Sequence, residues 1–93
     1  MGFLYCFSSF AQAETVYVKY FGSVDFSSFE CSRTQSSFVN RICYDNKRSM
    51  AVVLLKNTYY GYCDIPLAMI AEWLSASSKG RFYNSRVKGL FRC

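Results

Sequence analysis

Between Ser77 and Phe91 the chain reads SSKGRFYNSRVKGLF, where Lys79, Arg81, Arg86 and Lys88 alternate with Phe82, Tyr83 and Asn84. Cations at this density neutralise anionic groups, and interleaved rings stack on planar or apolar ones. A second pair, Tyr60 and Tyr62 in TYYGYC, stands two residues apart, so both rings project from one face of a strand. The chain has no histidine, which removes the side chain best suited to proton transfer near neutral pH, the ordinary catalytic triads and most hydrolytic metal sites. Asp25, Glu30, Asp45, Asp64 and Glu72 show no paired spacing suited to acid–base work. These residues predict a non-enzymatic binding surface made of Tyr60, Tyr62, Lys79, Arg81, Tyr83, Asn84, Arg86 and Lys88, with no cofactor and no metal. A small nuclease using Tyr, Arg and Lys is the alternative in the enzyme class.

The charge distribution points the same way. Of 93 residues, six Lys/Arg up to Glu72 balance all six Asp/Glu, and the five cations after Glu72 make up the whole net charge of +5. That segment favours an anionic partner over about one Debye length, roughly 8 Å at physiological salt. The expected partner is an anionic polymer or a protein, and nucleic acid is the alternative, read through Tyr60, Tyr62 and the basic tail.

The opening MGFLYCFSSFAQAET is apolar to Phe10 and then runs Ala11-Gln12-Ala13 before Glu14. This is the pattern of the end of a secretory signal peptide, here without a cation ahead of the apolar run. The competing reading is a buried N-terminal strand. The apolar stretch is shorter than the roughly 20 residues needed to span a bilayer as a helix. Cleavage after Ala13 removes Cys6 and leaves Cys31, Cys43, Cys63 and Cys93, an even set that predicts two disulfides in a periplasmic or secreted protein. Zinc fits the set poorly, because there is no C-x-x-C pair and no histidine.

The elements that must hold these residues follow from periodicity. FVNRICYD, MAVVLL and TYYGYC read as three strands of an antiparallel meander joined by DNKRS and KN. In MAVVLL, Met50, Val52 and Leu54 face one way and Ala51, Val53 and Leu55 the other, so both faces need cover. A helix follows, with Asp64 as its cap, Pro66 in the first turn, an apolar stripe of Leu67, Ile70, Ala71 and Leu74 flanked by Met69 and Trp73, and Gly80 as its left-handed stop. The predicted fold is α+β: a small three-stranded antiparallel meander packed on one helix, with an N-terminal arm around VYVKYF on the far face, stapled by disulfides. VDFSSFECSRTQSS reads as loop.

Cys43 and Cys63 flank the middle strand, about 10 Å apart at strand spacing and beyond the roughly 7 Å that a bridge allows. Two pairings remain: Cys31–Cys63 with Cys43–Cys93, or Cys31–Cys43 with Cys63–Cys93. The first is the working expectation.

From about Ser36 to Phe91 the chain resembles the KTSC domain. The resemblance is carried by Ser36-Ser37, by Tyr44-Asp45, by Tyr60-Gly61-Tyr62, and by Ser78-Lys79-Gly80-Arg81-Phe82-Tyr83-Asn84 followed by Val87-Lys88-Gly89. It implies a short module, found alone in bacterial proteins and at the C-terminus of some lysyl-tRNA synthetases, for which RNA binding has been suggested from that fusion. Export would set this chain apart from such a role. The expected organisation is a signal peptide at 1–13, an N-terminal extension at 14–35 and a KTSC-like domain at 36–93.

Overall fold

A strand with apolar side chains on both faces is stable only inside a two-sided core, and the architecture answers that demand. The structure is a computed structural model that describes residues 14–93; the expected signal peptide, Cys6 included, lies outside the described residues. Six strands form one mixed sheet: β1 (Thr15–Lys19), β2 (Gly22–Asp25), β3 (Glu30–Arg33), β4 (Val39–Asp45), β5 (Met50–Leu55) and β6 (Thr58–Tyr62). Their spatial order is β2-β1-β6-β5-β4-β3. The expected meander β4-β5-β6 is the antiparallel centre, while β1 pairs with β6 in parallel and β2 and β3 form the edges.

One face carries helix α1 (Leu67–Ser75), a short α2 (Lys79–Phe82) and a π-helical turn over Tyr83–Val87. Here Ile42, Tyr44, Ala51, Val53 and Tyr62 pack against Ile70, Trp73, Tyr83 and Val87. On the other face Cys43, Met50 and Val52 pack against Val18, Val24, Phe26 and Phe29. The two sets of β5 side chains thus divide between two cores, as their alternation requires.

The N-terminal segment covers the far face by a route other than the expected one. VYVKYF does not lie over the sheet; it extends the sheet beside β6, and the cover comes from the 3-10 turn Phe26–Ser28 and the two phenylalanines around it. Asp25 caps that turn, accepting a 2.8 Å bond from the Ser27 N–H. VDFSSFECSRTQSS therefore contains strand, not loop alone. Its short polar residues hide β3, whose pairing partner β4 lies across a connection and supplies the ladder that local preference lacks.

Three further expectations are corrected. Asp64 is not the helix cap: it turns the chain with φ of 56°, and Pro66 takes the cap position without any side-chain bond. The helix buries Ile70 and Trp73 and leaves Ala71 exposed, with Leu67 and Leu74 54% and 37% exposed on the flank, because its two and a half turns meet the sheet along a narrow line. Gly80 is not a left-handed stop but sits within α2, where an added Cβ would lie 2.7 Å from the Phe38 ring. Gly89 does adopt positive φ, at 78°.

Both disulfides form, and the pairing is the second of the two possibilities: Cys31–Cys43 and Cys63–Cys93. Cys31 stands directly opposite Cys43 in the β3–β4 ladder, with Cα atoms 3.9 Å apart, which no loop reading of residues 24–37 could reveal. Cys63–Cys93 fastens the end of the chain beside β6, where the Cys63 N–H donates to the Phe91 carbonyl at 2.7 Å.

Peptide mapping without reductant should recover these two cross-linked pairs and no Cys43–Cys93 species. Reduction should lower stability by about 2–4 kcal/mol per bridge, with the larger share from Cys63–Cys93, whose separation of 30 residues exceeds the 12 of Cys31–Cys43. Denaturant unfolding of each Cys→Ser pair measures this.

Candidate functional site

The surface that gathers most of the predicted residues is assembled by three local devices. Ser36 Oγ accepts from the backbone N–H of Val39 at 3.2 Å and of Phe38 at 3.4 Å, which folds the entry to β4 and presents Ser37 and Phe38. The Phe38 carbonyl accepts from the Lys56 N–H at 2.8 Å, so the β5–β6 turn and its exposed Lys56 sit beside that entry. The third device is Trp73. Its indole N–H donates to the Lys79 carbonyl at 3.0 Å, and its ring stacks with Phe82 and Tyr83 at centroid distances of 6.0 and 6.1 Å.

Ser78 starts α2 by accepting from the Arg81 N–H at 3.1 Å. Phe38 meets Tyr83 edge-on at 6.0 Å, closing the β4 entry against the tail. The missing side chain of Gly80 leaves room for the Phe38 ring, so here the glycine serves close approach.

Two adjoining hollows result. The larger, about 650 Å³, is lined by Phe38, Lys56, Tyr60, Tyr83, Asn84 and Lys88 together with Ser37 and Leu55. The smaller, about 310 Å³, takes Lys79, Arg81 and Asn84 from the tail and Ser36 and Ser37 from the β4 entry. They share Ser37, Phe38 and Asn84, and no carboxylate lines either one. Lys79 is in part engaged, since its ammonium donates to the Ala76 carbonyl at 2.6 Å.

Six of the eight predicted residues thus meet on one surface, and two do not. Tyr62 is buried, and its hydroxyl pairs with that of Tyr83 at 2.8 Å. Desolvation first, and that hydrogen bond second, push its phenol well above the usual tyrosine range, so it stays neutral and inward. Two side chains on one strand face share a direction but not an exposure, and the tail crosses Tyr62. Arg86 lines neither hollow; it pairs with Glu72 at 3.1 Å and lies over the Phe82 ring at 5.0 Å. Phe38, Lys56 and Ser37 were missed. KN was legible as a hairpin connection, but nothing local says that this turn lands beside the tail.

Tyr44 and Asp45 are structural. The Tyr44 hydroxyl donates to the Ile65 carbonyl at 2.7 Å, tying β4 to the helix entry. Buried Asp45 accepts from Ser28 Oγ at 2.7 Å and from the Lys47 and Arg48 N–H groups at 3.0 and 3.4 Å, and pairs with Arg48 Nε at 3.0 Å. It therefore fixes the β4–β5 turn and fastens it to the 3-10 turn over the far face. Among the described residues no group of three His, Cys, Asp or Glu is placed to hold a metal ion, and no helix is long and apolar enough to cross a membrane.

Comparison with known proteins gives two findings. The family model of the KTSC domain matches residues 35–91. The crystal structure of a KTSC domain protein from Yersinia pestis superimposes with a TM-score of 0.64 at 30% identity, covering 68% of this chain and 90% of that one. No curated protein matches the chain.

Asp45 generates a pH prediction. Desolvation works to raise its pKa, but the Ser28 hydroxyl, the two backbone donors and Arg48 together outweigh it and hold the carboxyl below its ordinary value. A depressed folded-state pKa contributes stability that is fully present above the unfolded value, about 3.9, and is lost as pH falls through the lower folded value. Asp45→Ala should lower stability at neutral pH by about 1–3 kcal/mol, since it strands buried donors, and should flatten the acid limb of the stability profile. Thermal unfolding across that range tests it.

Proposed function

The chain belongs to the KTSC domain family, and on that footing we propose that it is a small non-enzymatic binding module whose two joined hollows grip an anionic polymer. One observation carries the reading: Lys56, Lys79, Arg81 and Lys88 border a surface floored by Phe38, Tyr60 and Tyr83 and free of carboxylates. Cations without local counter-charges raise the concentration of anions at such a surface, and partly apolar walls strengthen each contact. Two disulfides are compatible with an oxidising compartment, so the polymer is sought outside the cytosol. Nucleic acid is one chemistry of this kind. With Tyr62 buried, Tyr60 is the strand ring left to stack on a base.

Titration of the protein with anionic polymers at rising ionic strength tests the proposal. Affinity should fall steeply with salt, and Lys56→Ala with Lys88→Ala should weaken binding and flatten the salt slope by about 0.7 per lost phosphate contact on a single strand. Tyr60→Ala should weaken binding by a further 1–3 kcal/mol or so if the polymer carries bases, and much less if it is a polysaccharide. Tyr62→Phe should leave affinity unchanged while lowering stability by about 1 kcal/mol through the lost hydroxyl pair. Binding that ignores both salt and Lys56/Lys88 would refute the proposal.

A further inference from the structure

The hairpin β1–β2 precedes the family-matched segment and ends in a feature that packing does not require. Its inward residues, Val18 and Val24, are buried in the far-face core. Three of its exposed side chains are aromatic: Tyr20 is 87% exposed, Tyr17 69% and Phe21 50%. Tyr20 holds a left-handed backbone, φ 66°, in the turn closed by the Phe21 N–H donating to the Val18 carbonyl at 3.0 Å. A bulky side chain is uncommon in that region, which glycine or asparagine enters with little strain, so an exposed ring there points to use.

Cations stand beside these rings. Lys19 lies 5.2 Å from the centre of the Tyr20 ring, and Arg92 lines the same hollow of about 400 Å³ as Lys19, Tyr20 and Phe21. No Asp or Glu lines that hollow, which Tyr60, Gly61, Tyr62 and Cys93 complete. Because β1 runs parallel to β6, the hairpin apex reaches the end of the sheet at which Cys63–Cys93 pins the tail, and this places Arg92 there. Leu90, 52% exposed, belongs to the same tail.

Exposed Tyr and Phe at an apex, flanked by Lys and Arg, match the water–lipid boundary: rings settle at headgroup depth while cations meet lipid phosphates. A soluble anionic chain would use the cations but leave Phe21, which has no polar group, in water. We propose that the β1–β2 apex docks on the surface of an anionic lipid bilayer, with Tyr20 and Phe21 entering the headgroup region and Lys19 and Arg92 on phosphate groups. Docking is peripheral and reversible; its hollow shares Tyr60 with the Lys56–Lys88 hollow but none of that hollow's cations, so either proposal can fail without the other.

The full chain is mixed with vesicles of phosphatidylcholine alone or with added phosphatidylglycerol, and sedimentation is measured at low and high salt. Co-sedimentation is expected with the anionic vesicles only, reversed by salt, weakened about fivefold by each of Lys19→Ala and Arg92→Ala, and abolished by Tyr20→Ser with Phe21→Ser. Lys56→Ala with Lys88→Ala should retain most of it. Phe21→Trp supplies a reading at the apex itself: its fluorescence should be quenched by brominated lipid in anionic vesicles. An unquenched Trp, or binding that survives loss of both apex rings, overturns the proposal.

Discussion

The rest of the molecule depends on the two-sided burial of β5. Met50 and Val52 on one side and Ala51 and Val53 on the other are all excluded from water, and a single helix can cover only one of those faces. A β-strand cannot turn half its side chains away from solvent without a second layer. The chain supplies that layer from its own N-terminal residues, with Phe26 and Phe29 pressed against the sheet and 5.1 Å apart at their ring centres. The family-matched segment therefore rests on residues that precede it.

Polar bonds hold this second layer in place. Glu14 and Arg41 form a two-point ion pair at 3.0 and 3.1 Å, Arg41 also donates to the Tyr59 hydroxyl at 2.8 Å, and its guanidinium lies 5.4 Å from the Phe26 ring. Asp45 fastens the same layer through Ser28. Cys31–Cys43 fixes β3 to β4, so an edge strand of four residues keeps its register without a long ladder. On the helix face Trp73 has the corresponding role: fully buried, it orders α2 and the π-helical turn, and through them the cationic tail.

The candidate surface is thus a product of cores on both sides. Tyr60 comes from the central sheet, Phe38 and Ser37 from the entry to β4, Lys56 from a hairpin turn, and Asn84 and Lys88 from the tail. The segments that carry them are fixed by Ser36, by the Phe38–Lys56 backbone bond and by Trp73, which reduces the backbone ordering a ligand would impose. The aromatic apex of β1–β2 is built on the same plan, with buried Val18 as its base and exposed rings above.

Composition and periodicity alone determined the central meander, the helix after it, the division of β5 between two faces, the need for far-face cover, and the rule that Cys43 and Cys63 do not pair. These are local consequences of side-chain alternation, helical spacing and strand separation, and they need no knowledge of distant partners. Tertiary structure decided the rest: β3, whose ladder comes from β4; the Cys31–Cys43 pairing, which follows from that register; the burial of Tyr62 beneath the tail; and the meeting of Lys56 with Lys88. Each depends on which distant segments touch, and the free energy of such contacts is set by shape and exclusion of water across the whole fold, which no local pattern encodes.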